Sequence, residues 1–191
     1  MIPFNHLGWA FDRFGGAIYP AAVSAHLCEA LQTVPQNGAV LDLGAGTGTL
    51  GKFAHVCRTD LLLTAADPAE GMLRYLPEHI APVIARAEAL PFEAASFDAL
   101  LIGEALHHFD APDNALAEIA RVLRPGGLLF VYEFDPSTLM GKGLSWAEKL
   151  LGEPAHFYPP QILADMIAPR GFDVRINRYG WRYALQATRT A

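Results

Sequence analysis

Basic residues are scarce in this chain, and their scarcity argues against one large class of partner. Its 191 residues include 14 Lys and Arg against 20 Asp and Glu, which gives a formal net charge of −6. A protein that grips the phosphate backbone of nucleic acid needs a basic surface, because released counterions supply much of the affinity. We therefore expect no nucleic-acid partner.

Cysteine is nearly absent as well, and long apolar runs are missing. Cys28 and Cys57 are the only cysteines, and they form no Cys-x-x-Cys motif. A disulfide framework needs more cysteines, so the sequence predicts two buried free thiols in the reducing cytoplasm. No run approaches the ~20 apolar residues of a membrane-spanning helix. The N-terminus also lacks the basic and apolar regions of a secretory signal, so none is expected.

What the chain does have is the composition and pattern of one folded domain. Hydrophobic residues make up 52% of it, and short apolar runs alternate with helical segments, which predicts a doubly wound α/β fold. The first five runs lack period-2 alternation, as expected for parallel strands covered on both faces. The sixth run alternates and predicts an edge or half-exposed strand. The predicted strands are Val40–Leu43, Leu61–Ala66, Pro82–Ala85, Ala99–Ile102, Leu128–Phe134, Phe172–Arg178 and Tyr183–Thr188.

Helices are predicted between these strands. Leu27, Leu31 and Val34 mark one before the first strand, and Leu116, Ile119 and Leu123 form the apolar stripe of another. The remaining predicted helices are Thr49–Val56 and Glu70–Leu76, and the helix with the apolar stripe spans Ala115–Leu123.

The most informative stretch is a glycine loop after the first predicted strand. Gly44, Gly46 and Gly48 are spaced Gly-x-Gly-x-Gly, and Thr49 stands where the dinucleotide pattern Gly-x-Gly-x-x-Gly requires glycine. Glycine permits a tight turn and lets backbone N–H groups and a helix N-terminus face a ligand. Asp42, at the strand end, would repel a phosphate but can accept hydrogen bonds from an ammonium group.

At this loop the chain resembles the class I S-adenosylmethionine-dependent methyltransferases, in particular the small-molecule branch of methyltransferase type 11 and quinone-biosynthesis enzymes. The resemblance runs from about Asn37 to Phe134 and rests on several motifs in the family's order. It implies a Rossmann-like sheet of seven mostly parallel strands with an antiparallel last strand. It also implies S-adenosyl-L-methionine as cofactor and S-adenosyl-L-homocysteine as product.

The resemblance divides the chain into four parts of a single methyltransferase domain. They are an N-terminal helical cap (1–35), a cofactor-binding core (36–134), a substrate-side insertion (135–171) and the final strands (172–191). Within the cap, Phe11–Phe14 resembles an aromatic segment that folds over the cofactor, and a surface helix that buries two aromatic side chains is the equally weighted alternative.

Cofactor-binding residues are expected after each of the first four strands. Asp67 stands where the family has an acidic residue for the ribose hydroxyls, and capping of the following helix is its alternative role. Ala87 and Glu88 belong to an Ala-Glu-x-Leu-Pro-Phe run that is similar to the family's adenine-binding segment. The expected cofactor-binding residues are Asp42, Gly44, Ala45, Gly46, Asp67, Pro68, Ala87, Glu88 and Glu104.

Arg86 departs from the family's pattern. The family often has aspartate at this position to accept the adenine amino group, whereas an arginine side chain has no acceptor. Two placements stay open, stacking on adenine and pointing to solvent, and we expect the second.

His107 is the candidate catalytic residue. It belongs to a Leu-His-His run after the fourth predicted strand that is typical of the quinone-biosynthesis branch. An imidazole can take a proton near neutral pH, so a general-base role is open. Packing around the methionine end of the cofactor is the alternative, and we favour it as the commoner case. No cluster has metal-ligand spacing, so no metal is expected.

The function implied by the resemblance is methyl transfer to an oxygen, nitrogen or carbon atom of an unidentified small molecule. Tyr132, Glu133 and Asp135, at the end of the fifth strand, are candidates to line the acceptor pocket. Two alternatives remain, a nicotinamide-dependent oxidoreductase and a methyltransferase-like subunit that binds cofactor or a partner without catalysis. A homodimer is included among the expected assemblies.

Overall fold

A seven-stranded sheet forms the centre of the computed structural model, which describes residues 8–9, 12–150 and 156–190. Its strands are β1 (Ala39–Leu43), β2 (Leu62–Ala66), β3 (Ile80–Val83), β4 (Phe97–Gly103), β5 (Leu123–Phe134), β6 (Phe172–Tyr179) and β7 (Arg182–Arg189). The strand order is β3-β2-β1-β4-β5-β7-β6. The first five strands are parallel, and β7 runs antiparallel to both of its neighbours. The predicted fold class and the antiparallel last strand are therefore confirmed.

Helices cover the sheet on both faces. No helix among the described residues is long and apolar enough to cross a lipid bilayer. The helices are α1 (Ala21–Ala30), α2 (Thr49–Cys57), α3 (Glu70–Leu73), α4 (Pro112–Val122), α5 (Leu139–Leu150) and α6 (Pro160–Ile167), with short 3₁₀ segments at Gly15–Ile18, Leu31–Thr33, Leu106–His108 and Ala168–Arg170.

The central strands are apolar throughout because each face packs against a different core. In β1, Leu41 and Leu43 belong to one apolar cluster and Val40 to the other, and all three are fully buried. A strand covered on both sides has no solvent-facing positions to fill with polar residues. Asp42 is the buried exception in this strand, and a buried carboxylate so close to the glycine loop indicates a site.

Strand β6 shows the opposite pattern because it lies at the edge of the sheet. It pairs only with β7, and Phe172 is buried while Asp173 and Arg175 are exposed. The alternation in the sequence predicted this edge position.

Several element boundaries differ from the sequence-based predictions; for example, α3 ends at Leu73 rather than Leu76, and α4 begins at Pro112 rather than Ala115. Strand β3 lies two residues earlier than expected, and β5 begins at Leu123 rather than Leu128, so α4 ends at Val122. The Arg124–Gly127 stretch forms an irregular start to β5, where the register against β4 shifts and Gly126 has a φ of 79°. Proline and two glycines made this stretch look like a turn that precedes the strand.

The prediction of two free thiols is wrong. Cys28 in α1 and Cys57 at the end of α2 form a disulfide, with their Cα atoms 5.2 Å apart. These helices pack against each other in the same apolar cluster. A separation of 29 residues along the chain gives no hint of this contact, because only the packing of the helices brings the sulfur atoms together.

Candidate active site

A cavity of about 650 Å³ opens at the carboxyl ends of β1, β2 and β4. Ligands of doubly wound sheets bind at this edge, at the point where the strand order reverses. In this sheet that point lies between β1 and β4. The side chain of Ala87 packs in the apolar core and is not part of the cavity lining. His107 lines the cavity. The other residues expected to bind the cofactor also line it, and they are Asp42, Gly44, Ala45, Gly46, Asp67, Pro68, Glu88 and Glu104.

The glycine loop shapes one wall of this cavity. Gly44, Gly46 and Gly48 all have positive φ, at 66°, 55° and 78°. A Cβ atom on Gly44 would lie 2.5 Å from the Cβ atom of Ala105, so glycine is required there for space as well as for conformation.

The N–H groups of the loop bond to the protein itself. Gly44 and Ala45 donate to the carbonyl oxygen of Ala66 at 2.8 and 3.3 Å, and Gly48 donates to that of Ala45 at 2.8 Å. Gly46 donates to a carboxylate oxygen of Asp67 at 2.8 Å. The expectation that these N–H groups face a ligand is therefore wrong for these four residues. The loop supplies a close-fitting wall rather than the anion-binding cradle that a pyrophosphate needs.

Asp67 holds two loops together at the edge of the cavity. One carboxylate oxygen accepts from Gly46, and the other accepts from the N–H of Ala69 at 2.8 Å. The N-cap of α3 is Ala69, so Asp67 is not the helix cap that was its alternative role. Burial raises the pKa of this carboxyl group, and the two N–H donors lower it.

Asp42 is the second carboxylate at this end of the cavity. One of its oxygens accepts the N–H of Gly51 at 2.8 Å, which ties the end of β1 to α2. Burial raises its pKa to about 7, although the hydrogen bond from Gly51 works in the other direction. A positive charge in the cavity would favour the ionised form of this carboxyl group and so lower its pKa.

Arg86 lines the cavity and does not simply point to solvent as expected. It forms an ion pair with Asp110, and its Nε atom lies 3.6 Å from a carboxylate oxygen of Glu88. Glu88 in turn accepts the N–H of Ala111 at 3.2 Å. Arg86 thus joins the loop after β3 to the segment before α4, with 57% of its side chain still exposed.

The far end of the cavity is built from residues that the sequence did not indicate. Phe134 ends β5, Leu144 lies in α5, and Trp181 and Arg182 stand at the start of β7. Because β7 is antiparallel, its first residues meet the carboxyl ends of the parallel strands, and Arg182 pairs in register with Phe134. The antiparallel pairing of β7 with β5 was the signal that could have indicated Trp181 and Arg182.

Glu104 and Arg182 form a partly buried ion pair at this end. Glu104 follows β4 with a φ of 49°, a conformation that non-glycine residues adopt rarely and often at functional sites. The Nε atom of Arg182 donates to its carboxylate. Burial raises the pKa of Glu104 to about 7, although Arg182 lowers it.

His107 is held by a carboxylate behind the cavity wall. Its Nδ1 atom lies 2.8 Å from one oxygen of Glu133, and the other oxygen accepts the N–H of Leu106 at 2.9 Å. Only 4% of the His107 side chain and 5% of that of Glu133 are exposed. The ring also stacks on Phe157, with centroids 4.8 Å apart.

The expectation that Tyr132, Glu133 and Asp135 line the cavity is corrected, because only their neighbour Phe134 belongs to the lining. Tyr132 is fully buried and donates to the carbonyl oxygen of Ile18 at 3.4 Å. Asp135 is also buried, and Arg178 donates to it at 2.9 Å.

The N-terminal part of the chain contributes to the cavity through residues other than the expected aromatic pair. Gly15, Ile18 and Tyr19 line it, whereas Phe14 is 62% exposed. Phe11 lies outside the described residues.

Residues 41–131 match the family model described as "Methyltransferase domain". This match, together with the curated relatives described next, supports a class I S-adenosylmethionine-dependent methyltransferase. Within the described residues, no group of three or more His, Cys, Asp or Glu could hold a metal ion.

Curated relatives of this methyltransferase act on different acceptors. It is 36% identical to a malonyl-[acyl-carrier protein] O-methyltransferase of Methylococcus capsulatus over 118 residues, 59% of this chain and 43% of that protein. It is 28% identical to the ubiquinone/menaquinone biosynthesis C-methyltransferase UbiE of Desulfotalea psychrophila over 172 residues, 76% of this chain and 70% of that protein. The chain thus spans less than half the length of the Methylococcus relative.

Solved structures share the fold. An O-methyltransferase family protein from Burkholderia thailandensis superposes with a TM-score of 0.84 at 18% identity, over 98% of this chain and 62% of that one. At this identity the likeness shows the fold alone.

Proposed function

We propose that this protein transfers a methyl group from S-adenosylmethionine to a small molecule. The observation that carries the proposal is the glycine loop, whose N–H groups bond inward while Asp42 and Asp67 stand beside it. Carboxylates suit the ammonium and hydroxyl groups of this cofactor and disfavour the pyrophosphate of a dinucleotide. The curated relatives are methyltransferases by name, which supports the same reaction.

When bound, S-adenosylmethionine supplies a methyl group on a sulfonium, which an acceptor atom displaces in line to leave the thioether S-adenosylhomocysteine. The protein then mainly binds and orients the two molecules. In this proposal Asp67 accepts hydrogen bonds from ribose hydroxyls, and Asp42 and Glu104 face positive charge. Gly44, Ala45 and Gly46 form the wall against the cofactor, and Pro68, Ala87 and Glu88 border its adenine end.

His107 is proposed to remove a proton from the acceptor. A carboxylate at Nδ1 fixes the tautomer in which Nδ1 carries the hydrogen and Nε2 has the lone pair. Glu133 also stabilises the imidazolium ion that forms when the ring takes a proton. This pairing, which the sequence did not indicate, favours the base over the packing role.

The deciding experiment is calorimetry with separate titrations of S-adenosylhomocysteine and NAD. We expect S-adenosylhomocysteine to bind and NAD to give no signal. Tight binding of NAD without a response to S-adenosylhomocysteine would instead support the oxidoreductase alternative. Cofactor binding with no turnover on any acceptor would support the non-catalytic subunit.

Two expectations about the whole protein remain predictions. A cytoplasmic location rested on free thiols, and the Cys28–Cys57 disulfide removes that argument. Exposed apolar side chains such as Leu139 and Trp146 on α5 offer one surface on which a homodimer could form. Light scattering of the purified protein measures the oligomeric state directly.

A further inference from the structure

Arg182 is fixed on two sides at the far end of the cavity, which we call the acceptor end because the proposed function places the methyl acceptor there. Its Nε atom donates to Glu104, and its guanidinium carbon lies 3.8 Å from the centroid of the Trp181 ring. Only 15% of its side chain is exposed. A guanidinium held by an ion pair and by an aromatic face keeps little freedom, so its remaining donors are preorganised.

The two terminal nitrogens of Arg182 have donors to offer. An arginine side chain carries five N–H donors, and within the described part of the chain Arg182 makes one side-chain hydrogen bond, through Nε. The residue lines the cavity, whose wall here is largely apolar and includes Phe134 and Leu144. A ligand oxygen is the group that these donors require, because apolar walls accept no hydrogen bonds.

The charges around this pair favour an anionic oxygen. Glu133 is engaged with His107, and Asp135 with Arg178. Under the proposed function Glu104 faces the positive charge of the cofactor, which leaves the permanent charge of Arg182 for the acceptor. Arg182 lies outside the matched residues 41–131.

We propose that Arg182 selects the acceptor by binding a negatively charged oxygen of that molecule, a carboxylate, enolate or phenolate. The apolar body of that molecule lies against Phe134 and Leu144. This inference rests on the proposed function, since it names the acceptor class of the same cavity. Arg182 is a specificity residue here and takes no part in bond making.

The test is calorimetry on the protein saturated with S-adenosylhomocysteine. The probes are two anions, benzoate and 4-nitrophenolate, and two neutral counterparts of similar shape, benzamide and nitrobenzene. We expect at least one anion to bind about tenfold or more tightly than its neutral counterpart, a usual size for charged hydrogen bonds. Preference for benzoate or for the phenolate distinguishes the two kinds of oxygen.

Three variants assign the effect to Arg182. Arg182→Gln should remove the preference for the anion. Arg182→Lys should keep part of the preference, because the positive charge remains while the planar set of guanidinium N–H donors is lost. Arg175→Gln is the matched control, since Arg175 is an exposed arginine of β6 outside the cavity lining, and it should behave as the wild type. Melting curves establish that each variant is folded, and Arg182→Lys alone decides the question if the glutamine variant does not fold.

The inference is overturned if anions bind no better than their neutral counterparts, if no probe binds, or if the preference survives Arg182→Gln. Failure of the wild type to bind S-adenosylhomocysteine is a separate result, which overturns the proposed function and this inference with it. Binding of S-adenosylhomocysteine without anion preference overturns only the inference.

Discussion

The two ends of the cavity are built in different ways. At the cofactor end, Asp42, the glycine loop and Asp67 come from consecutive β-α units and interact through the backbone. At the acceptor end, side chains from distant parts of the chain meet in pairs, Glu104 with Arg182 and His107 with Glu133. We therefore expect substitutions to be tolerated less well at the cofactor end than at the acceptor end.

This difference explains how one fold can serve different acceptors. A cofactor that is the same throughout a family needs the same wall, and backbone geometry with glycine supplies it. Acceptors vary, and side chains on β7 and α5 can vary with them. The predictions below test whether the two ends are as separable as their construction indicates.

The largest effect is expected at the glycine loop. Gly46→Val should weaken S-adenosylhomocysteine binding by at least ~100-fold, about 2.7 kcal/mol, because the valine side chain would occupy part of the cavity. The φ of 55° at this position also strains any residue other than glycine. The domain should stay folded, since the nearest atom to the new Cβ is the flexible end of Met72 at 3.2 Å. Calorimetry measures the affinity.

Gly126→Val is the control, with a φ of 79° and no atom within 4 Å of its Cβ, so it carries backbone strain outside the cavity. Equal losses in both variants would mean that strain, and not the cavity wall, is responsible.

The next effect is expected at the acceptor end. His107→Gln should lower turnover by about 100-fold, as is usual for a lost general base, while S-adenosylhomocysteine affinity stays near that of the wild type. Glu133→Gln should also lower turnover, because the imidazolium ion that forms when His107 takes a proton loses its carboxylate partner. Steady-state kinetics with an identified acceptor provide both measurements. A drop in cofactor affinity that accounts for the lost turnover would favour the packing role instead.

Asp67 should affect both affinity and stability. Asp67→Asn should weaken S-adenosylhomocysteine binding by about 1.5–3 kcal/mol, the range for hydrogen bonds to a charged group. It should also lower the free energy of unfolding without ligand, because both carboxylate oxygens accept backbone N–H groups. Asp60→Asn is the matched control, since Asp60 accepts the N–H of Asn37 away from the cavity. It should reduce stability and leave affinity intact, and a similar loss of affinity in both variants would contradict the assignment.

The smallest effect is a dependence of stability on pH. Asp42 has a folded-state pKa of about 7, above the value of about 4 expected in the unfolded chain. The folded state therefore binds the proton more tightly, so the contribution of Asp42 to stability should be complete below about pH 4 and be lost as the pH rises through about 7. Urea denaturation without ligand at several pH values measures the slope. Asp42→Asn should flatten it, with Glu104 providing the part that remains. An unchanged slope in the variant would show that Asp42 titrates normally.

Much of the fold and of the cofactor end could be predicted from the sequence. Val40–Leu43 followed by Gly44, Gly46 and Gly48 is a local pattern, and a strand, a glycine turn and a helix follow from it directly. Burial on both faces made the central strands recognisable, and the alternation in β6 indicated its edge position. The early start of β5 was missed because Pro125 and the glycines after it resemble a turn.

The acceptor end could not be predicted in the same way. The partners of Glu104 and His107 lie 78 and 26 residues further along the chain. No periodicity in the sequence links residues so far apart, and the disulfide between Cys28 and Cys57 was missed for the same reason.

The sequence by itself determined the parallel sheet, the glycine loop and the carboxylates at the strand ends, because short-range hydrophobic patterning and backbone conformation specify them. The tertiary structure alone decided which side chains face each other across the cavity. That decision depends on the strand order, in which antiparallel β7 brings Trp181 and Arg182 beside the carboxyl ends of β4 and β5. A residue's neighbours across a sheet are set by the packing of every element between them, and no local stretch of sequence contains that information.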